Sequence, residues 1–174
     1  MKQQVVKKMK LFNKKTNEEE KKINNNIKIS EKEFVGKNFE YYEPLFKDFE
    51  KNGKKRTFNL PSLFIAPYWY IYRKMTFTGA FIIGIQVILA TLAYFLRTPL
   101  WIGVYLASFL IYLRTAFYGN YDYYKRIQDL KKDSNNIDDK FKDRFLKDKS
   151  GVDVYMTVCW IVGSIIIYAF ALFM

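Results

Sequence analysis

Side chains able to do covalent or metal chemistry are nearly absent from this sequence. The 174 residues include no histidine and a single cysteine, Cys159. Without histidine there is no Ser-His or Cys-His nucleophile pair and no imidazole metal ligand; one cysteine can form neither an internal disulfide nor a CxxC zinc site. The chain is therefore expected to be non-enzymatic and to need no cofactor or metal. An uncharged lipid setting would raise the pKa of the lone thiol and keep it inert, so Cys159 reads as a small packing residue. What remains is recognition chemistry. Lys and Arg outnumber Asp and Glu by 29 to 17, a net charge of +12, and aromatic residues make up 19% of the chain. The bases Lys54, Lys55, Arg56, Arg73 and Lys74 flank an apolar segment bearing Trp69, a pattern suited to anionic lipid headgroups. Tyr42, Arg56, Trp69, Arg73, Lys74 and Tyr124 are the candidate lipid- or partner-facing residues. Nucleic acid is not expected, because the basic excess sits beside apolar spans and no nucleic-acid motif accompanies it.

The elements that must position these residues follow from where charge is missing. Charged residues number 25 of 57 in 1–57, 4 of 61 in 58–118, 17 of 35 in 119–153 and none in 154–174. Met75 to Leu96 is uncharged over 22 residues, enough at about 1.5 Å per residue to cross roughly 30 Å of hydrocarbon. Pro99 to Leu113 reaches spanning length if Arg114 snorkels and the helix runs on through Tyr118. Arg97-Thr98-Pro99 then forms the turn of an antiparallel transmembrane hairpin over 75–118, with Pro99 suited to a first helical turn. Val154 to Met174 supplies a third span, opened by the capping-box-like Ser150-Gly151-Val152-Asp153. No small-residue cleavage site follows a short apolar core, so a removable signal peptide is not expected.

The apolar stretch within 58–74 is only 15 residues long and carries Pro61 and Pro67, so an interfacial, re-entrant or helix-buried segment is expected there. Pro67 also suggests the broken helices of transporters, but the chain holds no second copy of that pattern. If the segment does not span, 28 Lys/Arg fall on one side and Arg97 alone on the other, which places the N-terminus and residues 119–153 in the cytoplasm and the C-terminus outside. Residues 1–33 are too polar to bury a core and read as a disordered tail, in which Val5, Val6, Met9, Leu11 and Phe12 could touch lipid. Asn38-Phe39-Glu40-Tyr41-Tyr42 recurs as Asn120-Tyr121-Asp122-Tyr123-Tyr124, each copy following a glycine. Asparagine at an N-cap and an early acid predict that both copies open cytoplasmic helices, the first within 34–57 and the second within 119–153. Phe39, Tyr42, Phe46 and Phe49 would share one face, and Tyr121, Tyr124 and Ile127 another. Ile137, Phe141 and Phe145 at four-residue spacing among lysines predict a basic amphipathic helix against the membrane.

Small residues four apart mark helix-packing faces: Thr76, Ala80 and Gly84; Gly103 and Ala107; Cys159 and Gly163. Gln86 is the one strongly polar side chain deep in a span, and an interhelical hydrogen bond is its expected role.

Residues 34–42 (FVGKNFEYY), Lys54-Lys55-Arg56, Phe58-Asn59, Ala66-Pro67-Tyr68-Trp69 and Tyr72-Arg73-Lys74-Met75, followed by Tyr118-Gly119-Asn120 with Tyr123-Tyr124, resemble the domain-of-unknown-function 2628 family of small bacterial inner-membrane proteins. In that family an F-N-W-A-A-F-x-F-G-P-x-W-x-x-Y-R-K-M phrase leads into membrane helices; here Leu60-Pro61 replaces Trp-Ala and Ala66 stands for the glycine. The resemblance runs from Phe34 to Leu130. It implies a bacterial inner-membrane domain and assigns no activity.

The expected fold class is an all-α membrane protein with three transmembrane helices, a Pro-kinked interfacial or re-entrant helix and short amphipathic cytoplasmic helices. The expected function is a subunit or accessory factor of a membrane complex. Its partners would be anionic lipid and either another protein or further copies of itself. A small oligomeric transporter or pore is the alternative, lined by Gln86, Thr91 and Ser108.

Overall fold

The computed structural model describes residues 29–173, and every regular element among them is a helix. In chain order these are α1 (Glu31–Val35), α2 (Phe39–Asn52), α3 (Leu60–Tyr72), α4 (Thr76–Leu96), α5 (Pro99–Ser108), α6 (Leu110–Asn135), α7 (Asp139–Lys149) and α8 (Val154–Phe173). The readings of a disordered tail and of lipid contact by Val5 to Phe12 fall on 1–28, outside the described residues. The expected boundary at residue 34 lies inside α1. A reciprocal capping box starts that helix: the Ser30 hydroxyl accepts from the Glu33 amide, while the Glu33 carboxylate accepts from the Ser30 amide at 2.6 Å.

Two apolar helices dominate the other end of the molecule. α4 is 21 residues long, and Arg97 turns the chain with φ 48° before Pro99 opens α5. α5 and α6 run on through Phe109 as one 37-residue helix, roughly 55 Å long, so about 25 Å stands clear of a 30 Å hydrocarbon layer. The expected boundary at 118/119 therefore falls in mid-helix. α4 and the α5–α6 helix are long and apolar enough to cross a membrane; α8, which meets α7 at 42°, raises the number to three if that bent pair counts as one span. Asp153 caps α8, its carboxylate accepting from the Met156 amide at 2.8 Å. Ser150 ends α7 instead of opening a capping box.

α3 is a wedge between α4, α6 and α8. The chain leaves helical geometry at Ile65 (φ −128°, ψ 38°), two residues before Pro67, whose missing N–H leaves the Leu63 carbonyl without its usual donor. Both ends of α3 meet the same short stretch of α6: the Asn59 amide donates to the Ala116 carbonyl at 2.8 Å, and Arg73 stacks on Tyr123. Those contacts lie within roughly 10 Å along the α6 axis. α3 is buried through Ser62, Ala66, Pro67, Trp69, Tyr70 and Ile71.

Among the described glycines, Gly79 and not Gly84 has the tightest surroundings. A Cβ on Gly79 would stand 2.3 Å from the Pro67 carbonyl oxygen and 2.5 Å from Ile71 Cγ1. Gly84, Gly103 and Gly163 would meet nothing within 4 Å, and Gly84, Gly103, Ala107 and Cys159 are exposed. The exposed members of these small-residue faces are thus not enclosed within this chain, whereas Thr76 and Gly163 are half-buried. Ala80 is half-buried.

The charged end has its own aromatic core. Tyr42, Phe46 and Phe49 of α2 are buried against α6, where Tyr123, Ile127 and Leu130 are buried in turn. Tyr42 meets Tyr123 edge-on at 5.0 Å, Phe46 meets Tyr124 at 5.2 Å, and Phe49 meets Tyr121 at 5.5 Å. The two aromatic faces read from the sequence therefore pack on one another. Phe145 of α7 joins this core through Phe34 at 6.2 Å.

Candidate functional site

The most unusual chemistry sits where α3 turns into α4. Arg73 follows the last turn of α3 and Lys74 takes a left-handed conformation (φ 57°), so the two adjacent bases diverge. Lys74 Nζ donates to the Asp148 carbonyl at 2.8 Å and the Lys147 carbonyl at 3.4 Å, a cation on the negative end of α7. Arg73 goes inward and is 5% exposed. Its guanidinium carbon lies 4.6 Å from the Tyr42 ring centre, 5.1 Å from Tyr123 and 5.5 Å from Tyr72, a three-sided cation–π cage. Among the described residues no carboxylate pairs with it. The Tyr42 and Tyr123 hydroxyls interact with both its charge and its side-chain donors, while the buried Nε and Nη1 have no hydrogen-bond partner. Burial pushes the Tyr42 phenol up to about 12 even though the Arg73 charge opposes the shift.

Beside the cage, the fully buried Asn120 organises a polar cluster. Its Oδ1 accepts from Asn59 Nδ2 at 2.7 Å, and its Nδ2 donates to Thr57 Oγ1 at 3.0 Å and Tyr41 Oη at 3.3 Å. The 53–59 strap is laced to α6 by these bonds and by backbone donation from Thr57 to the Phe117 carbonyl at 3.0 Å. Gly119 admits the Trp69 ring, whose nearest atom would be 3.2 Å from a Cβ there. Asn120 thus opens no helix: it lies in mid-α6, where its side chain is worth more as a satisfied buried hub than as a cap. Asn38 does precede α2, in a left-handed conformation with no side-chain cap bond.

A second polar knot lies on the other side of α3. Asp122 accepts from Tyr70 Oη at 2.8 Å and Arg114 Nη1 at 2.9 Å, and pairs with Lys125 at 3.3 Å. Arg114 therefore reaches along its helix toward the charged end, the direction that snorkelling requires. Among the described residues no group of three His, Cys, Asp or Glu side chains could hold a metal ion.

Several residues expected on a lipid- or partner-facing surface lie elsewhere. Tyr42, Trp69 and Arg73 are 2, 4 and 5% exposed, because the cage and α6 enclose them. Arg56 is exposed, stacking on the Tyr118 ring at 5.4 Å and donating to its hydroxyl. Tyr124 donates to Glu50 at 3.3 Å. Gln86, buried in α4, accepts from Tyr112 Oη at 3.4 Å, an interhelical bond, while its Nε2 finds no partner. Sequence reasoning named Asn59 only within the Phe58-Asn59 phrase of the family resemblance and did not single out Gly79; the signal available for Gly79 was a glycine inside an apolar helix.

Caged Arg73, the Asn120 cluster and the apolar helices together define an all-helical protein whose long helices suit a bilayer and whose polar chemistry gathers at their charged end. The chain belongs to the family described as Protein of unknown function (DUF2628), which matches residues 7–128. That match takes in the tail from residue 7 and stops before α7 and α8. Neither the curated proteins nor the solved structures contain a match.

Proposed function

We propose that this protein is a small non-enzymatic subunit or accessory factor of a bacterial inner-membrane complex, with three spans, a cytoplasmic N-terminus and an external C-terminus. The observation that carries the membrane reading is the apolar exterior of the long helices. Phe77 is 84% exposed, Leu100 71% and Phe170 66%, a surface that water would not tolerate and lipid would. α3 supports the three-span count, since both its ends meet one stretch of α6. Lys and Arg then divide 28 to 1, with Arg97 alone at the far end.

The accessory role rests on where polar groups are spent. A pore needs an open polar lining, whereas Gln86 is buried against Tyr112, Thr91 donates to its own Val87 carbonyl at 2.9 Å and Ser108 to Tyr105 at 2.6 Å. The rigid aromatic cap then acts as a cytoplasmic platform for a partner held by the lipid-facing helices.

Two measurements test these statements. In a Cys159→Ser background, Thr98→Cys should react with an impermeant thiol reagent added to intact cells, and Asn135→Cys should not. Labelling of Asn135→Cys overturns the topology. Gentle purification from native membranes should yield a stoichiometric partner; a lone ring of copies that conducts ions or solutes would replace the accessory role with a pore.

A further inference from the structure

The caged arginine borders a cavity of about 590 Å³ between the start of α2, α3 and the start of α8. That volume is within the range of about 300–1,000 Å³ typical of small-molecule sites. Its lining is divided. Phe58, Leu60, Pro61 and Ile65 are exposed and apolar, whereas Tyr42, Asn59, Trp69 and Arg73 are buried. No carboxylate belongs to the lining. A guanidinium this buried ordinarily has an acid partner, because unpaired burial of a charge is costly and neutral ring faces and phenols do not balance it. Here the donors on Nε and Nη1 are unmet, and no carboxylate of the described residues stands in the cavity to balance the charge. An apolar rim with an unpaired buried cation behind it is complementary to an amphiphile with an anionic head.

We infer that this cavity binds an anionic headgroup carrying an apolar tail, the head at Arg73 and the tail along Phe58, Leu60 and Ile65. The lipid-facing position of the mouth rests on the membrane reading above, which the cysteine labelling tests separately; the unpaired cage and its cavity do not depend on it. A bilayer phospholipid and a free single-chain amphiphile share this chemistry.

The experiment uses the full chain in phosphatidylcholine nanodiscs, released into a mass spectrometer under native conditions with decyl phosphate, decanol or inorganic phosphate added. Decyl phosphate should give one adduct per chain, at an affinity at least tenfold above that of decanol, and inorganic phosphate should give none. Arg73→Gln should weaken decyl phosphate tenfold or more. Should that variant not fold, Ile65→Trp decides the matter, because it plugs the mouth from an exposed position and should abolish the adduct in a folded protein. Equal decyl phosphate occupancy in the wild type and Ile65→Trp, or equal binding of decanol, overturns the inference. Replacing part of the nanodisc lipid with phosphatidylglycerol distinguishes the sources: a retained phosphatidylglycerol lost in Ile65→Trp assigns the bilayer, and decyl phosphate binding without it assigns a free amphiphile.

Discussion

Replacing Gly79 by alanine adds a single methyl group where α4 meets the backbone of α3. That methyl would stand 2.3 Å from the Pro67 carbonyl oxygen, about 1 Å inside an ordinary C···O contact of about 3.3–3.6 Å. The obstructing atom is backbone, in a helix wedged against α4, α6 and α8, so no side-chain rotation relieves the overlap. Forcing extra methyls into a packed core costs about 1–3 kcal/mol. Alanine's better helix propensity returns up to about 1 kcal/mol. With a backbone atom as the obstruction the cost lies at the upper end, leaving a net of about 2 kcal/mol; at roughly 2–4 °C per kcal/mol for a chain of this length the melting midpoint should fall by about 4–8 °C, and Gly79→Val by more. Gly84→Ala and Gly103→Ala are the matched controls, since nothing lies within 4 Å of either added methyl, and both should melt at or slightly above the wild type. The assay is thermal unfolding of the purified protein in mild detergent, followed by circular dichroism and by loss of the monodisperse chromatographic peak. A wild-type midpoint for Gly79→Ala alongside a lowered one for Gly84→Ala would refute the wedge and restore the stripe read from the sequence.

Two further outcomes follow from the polar layer. Asn120→Ala and Asn59→Ala should each cost about 1–3 kcal/mol, because each strands buried partners; as they share the 2.7 Å bond, the double variant should fall short of the sum by about 0.5–3 kcal/mol in the same melting assay. Additivity would place the two residues in separate roles. The Tyr42 phenol has a folded pKa of about 12 against 10 unfolded, so the unfolded chain loses this proton first and stability drops between pH 10 and 12. The slope should reach about 1.4 kcal/mol per pH unit for this group and shrink in Tyr42→Phe, as read by alkaline unfolding monitored through tyrosinate absorbance.

Hydropathy and charge placement are local properties, so the sequence by itself determined the helices, their approximate limits and their division into apolar and charged blocks. The uncharged runs at 75–96 and 154–174 coincide with the helices α4 and α8, because a long apolar run satisfies its backbone groups internally as a helix. The aromatic periodicity at Tyr42, Phe46 and Phe49 likewise announced a buried face. What no local rule contains is which face meets which. Asn38 and Asn120 share a pattern, yet one stands before a helix and the other lies buried in the middle of one, because only Asn120 meets a strap some 60 residues distant in sequence. Arg73 and Lys74 are adjacent bases, and side-chain chemistry alone sends both to a headgroup layer. The left-handed turn at Lys74 separates them, giving one to the end of α7 and the other to a cage of tyrosines drawn from α2, α3 and α6. Spacing alone marked Thr76, Ala80 and Gly84 as a packing face, but the glycine with the tightest surroundings is Gly79, since the kinked α3 packed on α4 decides where backbones touch.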